Sequence, residues 1–473
     1  MEITINELIR EYSKAILKGD AAVFAGAGLS VPSGYANWKD FLRPFAEDLH
    51  LDIEREHDLL DVAQFYCNTR RNRGAINNQI LNAYTSSAEL NENVIILTRL
   101  PITTYWTTNY DSLIEQGLQL ANRRPDVKYE SDQIPYDLYD RDAVVYKMHG
   151  DSEHPADAVL TKHDYETYDQ KYPLFRTILK GDLVSKSFLF IGFSFEDPNM
   201  DYILSEIRTT FGQNVREHYC FFKRVQRDDF ENDLEYGYAL AKQELREQDL
   251  RQYGIQTCFV NSYVEITDIL QKIEAATRLK HVFISGSAHE YSAPWDVTLA
   301  ESFSKALASR LVENDYRITT GFGLGIGSSV INGALDVIYQ SKYRHIDEHL
   351  CLRPFPQNIS DPDERANKFE IYRNDMLEDV GIAIFIFGNK KADNGVINAD
   401  GCKREFEIAV KKGRIVIPVG STGYIAQELL DIVKQEPEKY PYLDGYIDWL
   451  ETETDPYKLI DLIMEIINNQ QIK

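Results

Sequence analysis

Short apolar runs alternate with longer amphipathic stretches from one end of this chain to the other, and that rhythm restricts the fold more than any other feature. Runs at 21–25, 103–106, 143–147, 187–191, 218–222 and 256–260 read as buried strands, and the acid-rich segments between them read as helices. A helix over 263–278 ends in Ala-Ala-Thr-Arg, and the rhythm then restarts with strands at 281–285, 317–319, 349–353, 382–387 and 415–419. Strands separated by helices imply crossover connections, hence parallel sheets with helices on their faces. The expected fold is α/β, with two Rossmann-like domains, each a mostly parallel sheet flanked by helices. The boundary is expected near 277–280, dividing the chain into 1–279 and 280–473. No sequence repeat relates the halves, so two different α/β domains are expected.

A length of 473 residues allows two full-sized cores, and a composition that is 43% hydrophobic and 27% charged is that of a folded protein. The net charge of −24 works against broad attraction to nucleic acid or to an anionic membrane, so neither partner is expected. An anionic small ligand then needs Arg and Lys concentrated locally. Cys67, Cys220, Cys258, Cys351 and Cys402 are scattered with no Cys-x-x-Cys pair, which points to a reduced, cytoplasmic protein without a zinc module. The stretch MEITINELIREYSKAILKG reads as an amphipathic helix rather than a signal peptide, and no apolar run reaches the ~18 residues of a membrane span.

The stretch AAVFAGAGLSVPSGY, 21–35, sets Gly26-Ala27-Gly28 directly after a buried strand and ahead of a helix expected over 38–49. Bare backbone between a strand and a helix suits a nucleotide diphosphate, whose charge is met by free N–H groups and a helix N-terminus. A plain tight turn reads equally well at this point. Three other strand ends carry polar residues or glycine. TYWTTNYDSLIE delivers Asn109 and Asp111, VVYKMHGD delivers His149 and Gly150, and FLFIGFSFEDPNM delivers Gly192, Ser194 and Asp197. In open α/β sheets, ligands bind where strands deliver their carboxyl ends. Taken singly, Asn109 and Asp111 also read as helix caps, His149 as a turn residue and Ser194 as a turn cap.

These segments together resemble the sirtuin-like NAD-binding domain. GAGLS is similar to that family's Gly-Ala-Gly-x-Ser phosphate loop, TTNYD to its Thr-Gln-Asn-x-Asp segment, MHGD to its His-Gly pair and GFS to its later Gly-x-Ser, in the same order across roughly the first 275 residues. The four zinc cysteines of the protein deacylases are missing, and Gly34-Tyr35-Ala36-Asn37 stands where the family carries Phe-Arg. The resemblance therefore implies NAD+ as substrate, with water in place of an acyl-lysine peptide. Glycoside hydrolysis passes through an oxocarbenium-like state and normally needs an acid for the leaving group. Nicotinamide leaves as a neutral molecule from a cation, so positioning, a water and a base suffice. Asn109 is expected to hold the water or a ribose hydroxyl, and His149 to accept a proton. Asp111 is expected at the nicotinamide carboxamide, with Ala27, Gly28, Ser30, Gly192 and Ser194 at the pyrophosphate and adenosine. No cofactor beyond the substrate NAD+, and no zinc or other metal, is expected.

The second half has glycine turns of its own. In TTGFGLGIGSSVINGAL the glycines Gly321, Gly323, Gly325 and Gly327 alternate, which does not match Gly-x-Gly-x-x-Gly, and HVFISGSAHEY places Gly286 and Ser287 after a strand. Arg373, Lys390 and Glu405 come from segments expected to meet at the same sheet edge. Plain glycine turns and solvated charges are the alternative. This half resembles the SLOG superfamily, Rossmann-like domains that bind nucleotide-derived ligands. The Pro-Gly-Gly-x-Gly-Thr-x-x-Glu loop of related nucleotide hydrolases is absent from NKKADNGVINADGCKREFE, so the resemblance implies a sensor rather than a second enzyme.

A sirtuin-like domain followed by a SLOG domain resembles the NAD-hydrolysing effectors of Thoeris antiphage defence over nearly the whole chain. That resemblance implies an NADase switched on by a cyclic ADP-ribose isomer made by a TIR-domain partner, and a homo-oligomer, expected as a tetramer. Gly286, Ser287, Gly323 and Gly325 would form the signal site, with Arg373 and Lys390 on a pyrophosphate and Glu405 on a ribose hydroxyl. A protein deacylase or ADP-ribosyltransferase and a non-catalytic nucleotide-binding module remain the competing functions.

Overall fold

Every residue of Ala21–Ala25 (β1), Thr104–Thr107 (β2) and Ser187–Ile191 (β5) is buried, as expected of central parallel strands covered on both faces. With Pro125–Lys128 (β3), Ala143–Lys147 (β4), His218–Lys223 (β6) and Ile255–Val260 (β7) they form a seven-stranded sheet in the order β3-β4-β2-β1-β5-β6-β7, parallel throughout. Val23 of β1 lies in register with Tyr105 on one side and Leu189 on the other. The chain runs outward from β1 to β2 and returns to β5 across β1, so the strand order reverses between β1 and β5. That reversal opens a crevice at the carboxyl ends of these two strands.

A second sheet contains His281–Ser285 (β8), Arg317–Thr320 (β9), Leu350–Leu352 (β10), Ile382–Phe385 (β11) and, after a hairpin, Ile415–Pro418 (β14). Its order is β10-β9-β8-β11-β14, again parallel, and its reversal lies between β8 and β11. Val282, Ile284, Ile382, Ile384 and Val416 anchor its core. The fold is thus α/β, with two Rossmann-like sheets flanked by helices. The computed structural model describes residues 2–470 apart from 57, 85–87, 196, 213–214 and 393–394. It divides into two units, Met1–Glu274 and Ala275–Lys473, the division falling inside the helix Val264–Arg278 rather than at its end.

The structure departs from the sequence reading in three places. Strand β3 was not expected, because its buried positions are Asp126 and Lys128, which pair at 2.9 Å, with Arg141 also 2.9 Å from Asp126. The antiparallel hairpin Asn389–Ala392 (β12) and Gly395–Asn398 (β13) was also unforeseen, and 393–394 of its turn lie outside the described residues. The third departure concerns the loop after β1. The chain makes two 3-10 turns that were not expected, Ala27–Leu29 and Val31–Ser33, before the helix expected over 38–49, which runs Trp38–Asp48 and which Asn37 caps through a 2.9 Å bond from Asp40 N–H.

Among the described residues no helix is long and apolar enough to cross a membrane. All five cysteines are free thiols.

Candidate functional site

The glycines of the first loop serve backbone contact before any ligand. Gly26 N–H donates to Ile191 O and Gly28 N–H to Gly192 O, both at 2.9 Å, while Leu29 and Ser30 N–H donate to Gly26 and Ala27 O at 3.0 Å. Gly192 has φ +64°, and a Cβ there would stand 2.2 Å from Leu29 N. Gly28 and Gly192 are thus required for β1 and β5 to bring their exit loops into contact at the strand-order reversal. Of the residues expected at the pyrophosphate, Gly28 and Ser30 already have their N–H groups bonded within the protein.

Beside this contact lies a hydrogen-bonded set from β2. Thr107 Oγ1 donates to Ala25 O at 3.1 Å and accepts Asn109 N–H at 2.9 Å, which ties the β2 exit to the end of β1. Asn109 Nδ2 then donates to Gly26 O at 3.0 Å and to Ser30 Oγ at 2.9 Å, and Ser30 Oγ–H donates to Asp111 Oδ2 at 2.7 Å. Asn109 Oδ1 makes no bond with the described residues and keeps an acceptor for a hydroxyl or water. Asp111 is buried, and its second oxygen accepts Leu113 N–H at 3.1 Å. Burial raises its carboxyl above the ordinary value against the pull of Ser30 and Leu113. Asp111 therefore positions Ser30 and Asn109, and both its oxygens have protein partners.

His149 follows β4 and is buried. Its Nε2 lies 3.1 Å from Asp197 Oδ2 but finds no well-aligned hydrogen-bond partner. The same Asp197 oxygen accepts the Tyr165 hydroxyl at 3.1 Å, while Oδ1 accepts Met200 N–H at 3.0 Å and caps the helix Pro198–Phe211. Burial alone would raise the Asp197 carboxyl; the His149 ring and these donors outweigh it and hold it below its ordinary value. Lys147, the last residue of β4, has a side chain 0% exposed. Its ammonium donates to Tyr110 O at 3.0 Å, to Asp111 O at 2.7 Å and to Asp151, and lies 3.2 Å from Glu115. It thereby joins the β4 exit to the β2 exit. The sequence reading passed over Lys147, Tyr165 and the pairing of Asp197; a lysine inside the apolar run AVVYK was the one available signal.

A cavity of about 840 Å³ opens at the carboxyl ends of β1, β5 and β6, lined in part by Gly28, Gly192, Ser194, Lys223, Lys242 and Arg246. That size lies within the range of small-molecule sites, about 300–1,000 Å³. Arg246 donates to Ser194 O at its edge. Asn109, Ser30 and His149 are not among its lining residues, so the expected site residues fall into two groups. Gly28, Gly192 and Ser194 border the cavity, while Asn109, Asp111 and His149 belong to the β2 and β4 exits and Ser30, from the β1 exit, bonds to Asn109 and Asp111. Ala27 precedes Gly28 on the first loop, and its carbonyl accepts Ser30 N–H.

In the second unit, Gly325 has φ +76° and a Cβ there would meet Ala288 O at 2.2 Å; one on Gly323 would meet Gly286 O at 1.8 Å. The two glycine turns therefore touch each other. Ser287 Oγ donates to Asn389 O at 3.0 Å. Glu405 is buried, accepts Ser285 Oγ–H at 2.6 Å and lies 3.6 Å from Arg373 Nε. Burial pushes its carboxyl up to about 7, against the pull of Ser285 and Arg373. The Arg373 guanidinium stands 5.1 Å from the Phe355 ring centre, and its Nε is buried without an aligned partner. Lys390, on β12, pairs with Asp400 and is 44% exposed. Arg373 and Glu405 are thus brought together, and Lys390 sits on the hairpin outside that pair. Among the described residues no group of three or more His, Cys, Asp or Glu is arranged to hold a metal ion.

The two units correspond to two family models. Residues 103–257 match the SIR2-like domain, and residues 265–470 match the Sir2- and TIR-associating SLOG family. The NAD(+) hydrolase ThsA of Bacillus cereus (strain MSX-D12) is 44% identical over 476 residues, covering 100% of this chain and 99% of its own. The proteins of that name from Cytobacillus dafuensis and Acinetobacter baumannii (strain 532279) are 44% and 41% identical, over 97% and 98% of this chain and 95% and 98% of theirs. Identity of this order along both units, in the order SIR2-like then SLOG, means that the chain belongs to the ThsA family of NAD(+) hydrolases.

Proposed function

We propose that this chain cleaves NAD+ to nicotinamide and ADP-ribose in its first unit, under the control of a cyclic ADP-ribose isomer bound in its second. The observation that carries the catalytic half is the hydrogen-bonded set of Asn109 and Asp111 from the β2 exit with Ser30 from the β1 exit, next to the strand-order reversal, with Lys147 tying this β2 exit to the end of β4 that His149 follows. The adenosine occupies the cavity, with its phosphates at Gly28, Gly192, Ser194 and Ala27. Asn109 Oδ1 accepts from the water or a ribose hydroxyl, and Asp111 acts by aiming Ser30 and Asn109. The nicotinamide–ribose bond breaks with its electron pair on nicotinamide, water adds to C1′, and His149 takes the proton.

The second unit is read as the sensor. Gly286, Ser287, Gly323 and Gly325 provide close backbone, Arg373 and Lys390 meet the pyrophosphate, and Glu405 meets a ribose hydroxyl. The buried Nε of Arg373, 3.6 Å from Glu405 but without an aligned hydrogen bond, supports this assignment, since such atoms are rare without a role. Moving a resting enzyme from about 1:99 to 99:1 takes ~5.5 kcal/mol of differential binding. Two or three charge-assisted bonds at ~1.5–3 kcal/mol each supply that. The reading includes a TIR-domain partner as the source of the signal, a homotetramer as the assembly, and action in the cytoplasm to deplete NAD+ during phage infection.

The test incubates the purified protein with NAD+, with and without cyclic ADP-ribose and its linkage isomers, and follows nicotinamide release. Wild type is expected to respond to an isomer, while Asn109→Ala and His149→Ala lose turnover by orders of magnitude at unchanged melting temperature. Release only on adding an acyl-lysine peptide would mark a deacylase, and binding of NAD+ without release a non-catalytic module.

A further inference from the structure

We infer that Asp197 is a positioning residue for the reaction, forming with His149 a dyad in which Nε2–H is held by the carboxylate and Nδ1 is the nitrogen that takes the proton. The inference rests on the reading of His149 as the base. It starts from geometry: Asp197 Oδ2 lies 3.1 Å from His149 Nε2, and His149 Nδ1 makes no bond with the described residues. Asp197 is itself fixed. Its Oδ1 caps the helix Pro198–Phe211 through Met200 N–H, and its Oδ2 accepts the Tyr165 hydroxyl.

A carboxylate held at a helix N-terminus stays ionised, because the helix dipole and the cap bond both favour the charge. An ionised carboxylate accepts only, so the neutral imidazole beside it carries its hydrogen on Nε2 and presents a lone pair at Nδ1. The groups facing the ring are Asp197, the Tyr165 ring at 5.4 Å and the Tyr168 ring at 6.5 Å. Among the described residues, only one of these is a carboxylate. The contact is bent rather than aligned, as catalytic hydrogen bonds often are before substrate binds.

Water adds its oxygen to C1′ as the glycosidic pair departs with nicotinamide, and one water proton moves to Nδ1. The Nε2 proton stays on the ring, facing Asp197, and the imidazolium so formed is stabilised by the carboxylate. Asp197 takes up no proton.

Two variants separate this role from a structural one. Asp197→Asn keeps the volume and the Oδ1 acceptor that caps the helix, since Asn is as good a cap as Asp. Its amide turns a donor toward Nε2, which favours the Nδ1–H tautomer and removes the base. The expected loss in kcat for NAD+ cleavage by the full chain is roughly 10²- to 10⁴-fold, with KM changed less than about threefold. Tyr165→Phe removes a competing donor from Oδ2 and leaves more negative charge for the imidazolium. The acid limb of the kcat–pH profile is expected to move to lower pH in Asp197→Asn and to higher pH in Tyr165→Phe.

Imidazole 15N NMR of histidine-labelled protein, with the His149 signal identified by its absence in His149→Ala, reads the tautomer directly. It should report Nε2–H in wild type and Nδ1–H in Asp197→Asn. In a His149→Ala background, Asp197→Asn should cost less than about twofold, because its effect passes through His149. An unchanged acid limb in Tyr165→Phe, an Nδ1–H tautomer in wild type, or a full loss from Asp197→Asn without His149 each overturns the dyad. Near-normal turnover in His149→Ala overturns the base itself, a separate result. Should Asp197→Asn fail to fold, Tyr165→Phe and the wild-type tautomer still decide.

Discussion

Replacing Lys147 with methionine tests how the two exit loops of the first unit are held together. The ammonium is wholly buried among Tyr110 O, Asp111 O, Asp151 and Glu115, with bonds of 3.0 and 2.7 Å to the carbonyls and a 3.2 Å approach to Glu115. Methionine nearly matches the stem in volume, so the variant removes charge without opening a large void. It leaves two carbonyls without their donor and two carboxylates without their counter-ion. Breaking a buried ion pair on one side costs about 3–5 kcal/mol. At roughly 2–4 °C per kcal/mol for a unit of this size, that lowers the melting temperature at pH 7 by roughly 6–20 °C. The pH dependence follows from the same charges. Burial already raises Glu115, with Lys147 opposing it, and removing Lys147 raises the folded-state carboxyl further. A carboxyl raised on folding contributes stability below its unfolded pKa and loses it as pH rises, so the deficit against wild type should shrink on acidification from pH 7 to pH 5. The assay is thermal melting at both pH values, with nicotinamide release measured well below the transition. Turnover should fall as well, because Asp111 and Asn109 lose their underpinning. A shift under about 2 °C at pH 7, or a deficit that grows on acidification, would refute the argument.

Gly192→Ala places a Cβ 2.2 Å from Leu29 N at φ +64°, and should lower stability in denaturant titration by about 2–4 kcal/mol together with NAD+ cleavage; a loss below about 1 kcal/mol would contradict the close approach. Glu405, raised from 4.5 to about 7, contributes stability to the second unit that is present below 4.5 and lost as pH rises to about 7. Melting across that window should therefore show a slope in wild type that Glu405→Gln flattens, and parallel curves would remove the basis for it. Arg373→Ala should abolish the response to a cyclic ADP-ribose isomer while keeping basal turnover, since it withdraws ~1.5–3 kcal/mol from a switch spanning ~5.5. An activation curve coinciding with wild type would move the signal site elsewhere.

Much of this site was legible because its residues stand next to signals that a linear pattern carries. Strand ends follow buried apolar runs, so Asn109, His149 and Gly192 could be assigned to one sheet edge from spacing alone. The glycines were legible as well, although their reason was not. Gly28 and Gly192 meet each other at the strand-order reversal, and the N–H groups offered to phosphate are partly bonded at home.

The sequence by itself determined the two α/β units, the parallel sheets and the edge at which polar residues gather, because hydrophobic periodicity reports which backbone is buried and apolar burial dominates the folding free energy. It did not determine which charge meets which. Asp126 and Lys128 make a strand only because they find each other and Arg141. Lys147 is tolerated inside the sheet because Glu115 arrives from the helix Leu113–Leu120 and the β4 exit turns Asp151 back onto it. Asp197 reaches His149 because β5 crosses back over β1 and brings the start of the helix Pro198–Phe211 to the β4 exit, where Tyr165 from the helix Lys162–Glu166 meets it. Buried charges cost free energy unless paired, and that pairing depends on distances set by strand order, which only the tertiary structure supplies.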